Sequence, residues 1–190
     1  MKAVLSMGWP LLTFRVGPEA LPYAPRLILP LVLLNLALSF GMQTLAGSEM
    51  DKPVLQLSAM ALAAEALWLA FCLQRRGWQN RWVQSYSALV LIDTWISALA
   101  VPIALIVMQG GDVLLGVAAI LQIAMTLWSL NVRGHVYAQT LAVSRLRGIL
   151  QAMVPILLVM VVAVALFPDM LPMPEAPVAE PATPAMTPEP

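Results

Sequence analysis

Apolar runs long enough to cross a bilayer alternate along this chain with short polar breaks. A transmembrane helix needs roughly 20 consecutive apolar residues. The runs cover residues 27–45, 54–74, 86–108, 113–130 and 149–167. The breaks between them are polar and turn-forming: GSEMDKP, RRGWQNR, QGGD and the longer NVRGHVYAQTLAVSRLRG. The pattern predicts an all-α polytopic bundle of five transmembrane helices. The longest break, residues 131–148, holds no proline. Val132, Val136, Leu141 and Val143 keep one of its sides apolar, so it can extend the fourth helix before lying on the membrane surface.

Two flanking segments do not fit the span pattern. Residues 1–26 form an N-terminal segment in which Pro10, Pro18, Pro22 and Pro25 interrupt any single span. Trp9, Phe14 and Tyr23 suit the headgroup zone, as do Arg15 and Arg26, which predicts an interfacial, re-entrant or amphipathic piece. It lacks the sustained apolar core and small-residue cleavage site of a signal peptide. Residues 168–190 are rich in proline, alanine and glutamate and predict a disordered acidic tail.

Composition agrees with a lipid-facing chain. Of 190 residues, 61% are hydrophobic and 11% charged, with mean hydropathy +0.84. A soluble domain carries about 25% charged residues, and a chain this short cannot hide such an excess in one core. Formal net charge is zero, which gives no electrostatic footprint for nucleic acid.

The distribution of charge orients the bundle. Lys2, Arg15 and Arg26 precede the first span, Arg75, Arg76 and Arg81 lie between the second and third, and Arg133, Arg145 and Arg147 lie between the fourth and fifth. In a five-span topology all of these fall on one side, and Lys52 alone falls on the other. The positive-inside rule then puts the N-terminus in the cytoplasm and the C-terminus outside. Glu49, Asp51, Asp112, Asp169, Glu175, Glu180 and Glu189 sort to the outer side. The basic loops, with Arg15, Arg75, Arg76, Arg81, Arg133, His135, Arg145 and Arg147, form a candidate cytoplasmic contact surface.

Chemistry inside the spans is more specific. Glu65 stands in ALAAEALW of the second span and Asp93 in LVLIDTWIS of the third. An ionisable residue at such depth costs several kcal/mol and faces protein rather than lipid. Counted from the cytoplasmic span ends at Gln74 and Tyr86, both lie about 10–14 Å deep at 1.5 Å per residue. Asn35 in the first span and Gln122 in the fourth fall at similar depth. These four residues make a candidate polar layer. On one reading it is structural, with hydrogen bonds tying the bundle together. On the other, Glu65 and Asp93 form a proton or cation site, since two carboxylates in low dielectric do not both ionise readily. Pro102 and Pro155 lie inside spans and predict kinks or freed carbonyls.

The sequence holds no Gly-rich phosphate loop, HExxH or GxSxG motif, and no Cys/His ligand cluster. No catalytic residue, cofactor or metal site is expected. The lone Cys72 reads as a small buried or lipid-facing hydrophobe, and the lone His135 as a surface residue.

The segment FRVGPEALPYAPRLI, ahead of the first span, and WSLNVRGHVYAQTL, at the end of the fourth, resemble bacterial members of the Yip-type (Ypt-interacting protein) family of membrane proteins. The resemblance covers residues 9–167. It implies five spans, a cytoplasmic N-terminus and a short outer tail. This chain lacks the long cytoplasmic N-terminal domain of the eukaryotic relatives, which are linked to small-GTPase binding and vesicle traffic.

The expectation is therefore a non-enzymatic protein of the bacterial inner membrane, a Yip-like scaffold or assembly factor for membrane or envelope proteins. The alternative is a small proton- or cation-coupled transporter or channel using the intramembrane carboxylates. The expected partners are the lipid bilayer and other membrane proteins. A homo-oligomer is compatible with the pattern, and nucleic acid is not.

Overall fold

The computed structural model describes residues 2–45 and 54–167, all of it helices and turns. Glu49, Asp51 and Lys52, on which part of the charge sorting rests, lie outside the described residues, as does the tail at 168–190. Two short helices, α1 (Lys2–Ser6) and α2 (Gly8–Leu12), are followed by 3-10 turns at Pro18–Ala20 and Pro25–Leu27. Then come α3 (Ile28–Leu45), α4 (Val54–Arg76), a turn at Gln79–Arg81, α5 (Trp82–Gln109), α6 (Asp112–Leu141) and α7 (Arg145–Leu166). The helices α3 to α7 are each long and apolar enough to cross a membrane, consistent with an integral membrane protein.

Three helix ends differ from the sequence expectation by four residues or more. α5 starts at Trp82 rather than Tyr86, and α7 at Arg145 rather than Ile149. The larger change is in α6, which runs eleven residues beyond Leu130 to Leu141. Nothing in NVRGHVYAQTL breaks a helix. The stop comes at Ala142, whose φ of 47° is left-handed, as at a helix C-cap. Arg133 and His135 therefore sit on a helix within the bundle, not in a surface loop.

α5 is the central element and packs against α2, α3, α4 and α6. Every residue from Ser85 to Ile92 is buried, as in a helix surrounded on all sides. α7 packs against α4 and α6. Its approach to α6 is close: a Cβ on Gly148 would collide with the backbone carbonyl of Gly134. Small residues permit such contact where lipid supplies no hydrophobic drive for helix association.

The chain connections 77–81 and 142–144 meet at one end of the bundle, the arginine-rich end. Arg76 donates a hydrogen bond to the Leu141 carbonyl, and Arg81 to the Thr140 carbonyl at 3.4 Å. The last carbonyls of α6, orphaned by helix geometry, are thus satisfied by side chains from the facing loop.

The N-terminal segment packs along α5, as the re-entrant alternative requires. Val4, Gly8, Leu11 and Leu12 are buried. The Trp95 indole donates to the Leu5 carbonyl at 3.0 Å, and its ring occupies the space a Cβ on Gly8 would need. Trp95 lies thirteen residues into α5, about 20 Å along it at 1.5 Å per residue. Further back, Gln84 donates to the Leu21 carbonyl at 2.8 Å.

Candidate functional site

Three of the four residues of the expected polar layer come together. Asn35 on α3, Glu65 on α4 and Asp93 on α5 line one cavity of about 220 Å³. The fourth, Gln122, does not join them. It is exposed, on a separate apolar groove of about 570 Å³ between the far ends of α3, α5 and α6.

The place expected for Gln122 is taken by Arg133. Its guanidinium donates to Glu65 Oε1 at 3.0 Å and to Asp93 Oδ1 at 2.5 Å. The depth argument was sound, but the helix end it was counted from was not. Eight residues back from Leu130 is Gln122, and eight back from the true end at Leu141 is Arg133. Sequence reasoning had placed Arg133 with the cytoplasmic contact surface. The signal that would have corrected this is the unbroken helical pattern through NVRGHVYAQTL.

Measured from the arginine-rich helix ends, Asn35, Glu65, Asp93 and Arg133 lie seven to eleven residues in, about 10–17 Å at 1.5 Å per residue. Charges at that depth need partners, and here they have them. Glu65 is 2% exposed, Asp93 14% and Arg133 19% at the side chain. The exposed parts of Asp93 and Arg133 border the cavity. The triad has one cation and two anions, so with all three ionised it carries one net negative charge.

The remainder of the cavity wall is mixed. Ser58 comes from α4, Ser97 from α5 and Ser129 from α6, beside Ala61, Leu62 and Ile96. The side chain of Asn35, only 5% exposed, has no hydrogen-bond partner among the described residues. Nor have the hydroxyls of Ser58, Ser97 and Ser129, although a helical serine ordinarily bonds back to its own helix. Four helices therefore present unmet hydrogen-bonding capacity to one space.

The cavity lies on one side of the triad. Ser58, Ser97 and Ser129 are all farther than the charged residues from the arginine-rich end. Toward that end the next turns are closed by Leu69 and Leu73 of α4, Tyr86 and Leu89 of α5 and Tyr137 of α6, all buried. Tyr86 donates to the Leu62 carbonyl at 3.1 Å and Trp82 to the Ala66 carbonyl at 3.1 Å, bracing α4 on α5. The Tyr137 hydroxyl, one turn from Arg133, is buried without a partner among the described residues.

The remaining candidates of the contact surface separate. His135 is half-buried and edge-on to Phe14 at 5.5 Å, and the Arg145 guanidinium lies 4.7 Å from the centre of the same ring. Arg15, Arg75, Arg76, Arg81, Arg145 and Arg147 are exposed at the arginine-rich end. Arg75 lies over Phe71 and Arg81 over Trp78, at 4.8 and 4.7 Å. Cys72 is partly buried, its thiol 3.5 Å from Gln151 Oε1. Among the described residues no cluster of His, Cys, Asp and Glu could hold a metal ion.

No protein-family model, curated protein or solved structure matches the chain.

Proposed function

We propose that this chain is a small membrane transporter that binds a polar solute in the cavity between α3, α4, α5 and α6. One observation carries the reading: the unpartnered Asn35, Ser58, Ser97 and Ser129 face a cavity that also holds the Glu65–Arg133–Asp93 triad. A purely structural network gains most when every member is satisfied. This one bonds its charged groups to one another and leaves its neutral groups facing space. The cavity lies on the side of the triad away from the arginine-rich end, which Leu69, Leu73, Tyr86, Leu89 and Tyr137 close. The charge sorting of the sequence supports an arginine-rich cytoplasmic end.

The test is flux. The full chain is reconstituted in proteoliposomes, and gradients of protons, sodium and small amines are imposed with a pH-sensitive dye inside. Flux that Asp93→Asn abolishes supports transport. Absence of flux under all three gradients sinks it.

A second reading, the Yip-like scaffold, is favoured by a different feature. Gln122 is a polar side chain exposed beside an apolar groove lined by Met42, Ile103, Val107 and Leu115. In hydrocarbon such a side chain gains from a hydrogen bond across a helix–helix contact. Crosslinking from position 122 that recovers a membrane protein, together with no flux, would favour this reading.

A further inference from the structure

We propose that the occupant of the cavity is a small primary alkylammonium ion, held at its charged end by Asp93. The inference rests on the reading of the cavity as a binding site and adds the chemical class of what binds.

Charge is the first argument. Arg133 can neutralise only one of its two carboxylates. Glu65 is almost wholly enclosed, whereas Asp93 retains exposure on the cavity wall. Arg133 engages Asp93 through Oδ1, and no hydrogen bond reaches Oδ2 among the described residues. The second carboxyl must then carry a proton or face another cation, and Asp93 Oδ2 is the acceptor that a cation in the cavity can reach. An anion would be repelled by the excess charge. A neutral solute supplies no charge to take the place of that proton.

Hydrogen-bonding geometry is the second. An ammonium has three donors and no acceptor. Asp93, the Asn35 amide oxygen and the serine hydroxyls supply acceptors from four helices around one space. Asn35 is the independent indication of a ligand, since it is buried, borders the cavity and has no protein partner among the described residues.

Size and lining are the third. At about 220 Å³ the cavity is far larger than one dehydrated alkali ion needs and has room for several heavy atoms. Ala61, Leu62 and Ile96 give the rest of the wall an apolar character that suits a short alkyl chain. A bare metal cation would gain nothing from those side chains.

The experiment is equilibrium binding to the purified full chain in nanodiscs, read by isothermal titration calorimetry. The probes are n-propylammonium, sodium, 1-butanol and butyrate. The expected result is saturable binding of n-propylammonium alone. Asp93→Asn keeps the Arg133–Glu65 pair and should weaken it about ten-fold or more, the difference between a charge-assisted and a neutral contact. Asn35→Ala should weaken it several-fold, with both variants unfolding at the wild-type temperature within a few degrees. Equal binding of 1-butanol, or n-propylammonium affinity unchanged in Asp93→Asn, overturns the ammonium assignment while leaving a solute site in place. Failure of all four probes in a chain that still shows flux overturns this inference alone, and failure of both assays removes the transporter reading as well.

Discussion

Arg133 on α6 and Asp93 on α5 are bonded across 40 residues of sequence, and the same guanidinium reaches Glu65 on α4. Three helices are therefore joined through one side chain. Removing that side chain leaves two carboxylates facing each other in low dielectric. Arg133→Met should destabilise the chain by roughly 3–5 kcal/mol, the cost of breaking a buried pair from one side. The triple variant Arg133→Met, Glu65→Leu, Asp93→Leu should recover most of that loss, because apolar groups replace all three charges together. Thermal unfolding in detergent compares the two, and a triple variant no more stable than the single one would contradict the account.

The α6–α7 contact depends on the absence of two side chains. Gly148→Leu would drive a branched side chain into the Gly134 carbonyl and the turn carrying Ala138. The helices must separate or bend, at a cost of about 1–3 kcal/mol or more. The same substitution at Gly116, where a Cβ would meet nothing, should be tolerated. Disulfide crosslinking between cysteines introduced on α6 and α7 should become slower in the first variant and remain unchanged in the second.

The N-terminal segment is held by Trp95. Trp95→Phe removes the donor to the Leu5 carbonyl and should cost about 1 kcal/mol. Because the segment is short, that loss should appear as local opening rather than global unfolding. Limited trypsin digestion should cut at Arg15 faster in the variant, with the unfolding temperature of the bundle little changed.

Ala142 ends α6 in a left-handed conformation that a side chain disfavours. Ala142→Gly should raise stability by about 1 kcal/mol without changing any contact. Its unfolding midpoint against the wild type is the measurement, and a lower midpoint would show that the side chain contributes packing there.

The spans themselves were legible because each is a long apolar run, and lipid leaves little freedom in how such a run folds. Depth was legible too: Asn35, Glu65 and Asp93 were matched by counting residues from helix ends. Arg133 was not found because an arginine near a span end reads equally as a cytoplasmic anchor. Only the continuation of α6 to Leu141 decides between the two. Ser58 and Ser129 of the cavity carried no sequence signal, since an intramembrane serine usually bonds to its own helix. What the N-terminal segment docks on was equally hidden. Its prolines showed that it could not be a span, but its docking depends on Trp95, some ninety residues away.

That distance bears on how the protein is made. Leu5 leaves the ribosome 90 residues before Trp95. At about 5–20 residues per second, roughly 5–18 s separate the two during synthesis. Throughout that interval the N-terminal segment has no α5 to dock on. Assembly of this bundle is therefore not a simple sequence of insertions from first helix to last. Its first residues can reach their place only once α5 has been made.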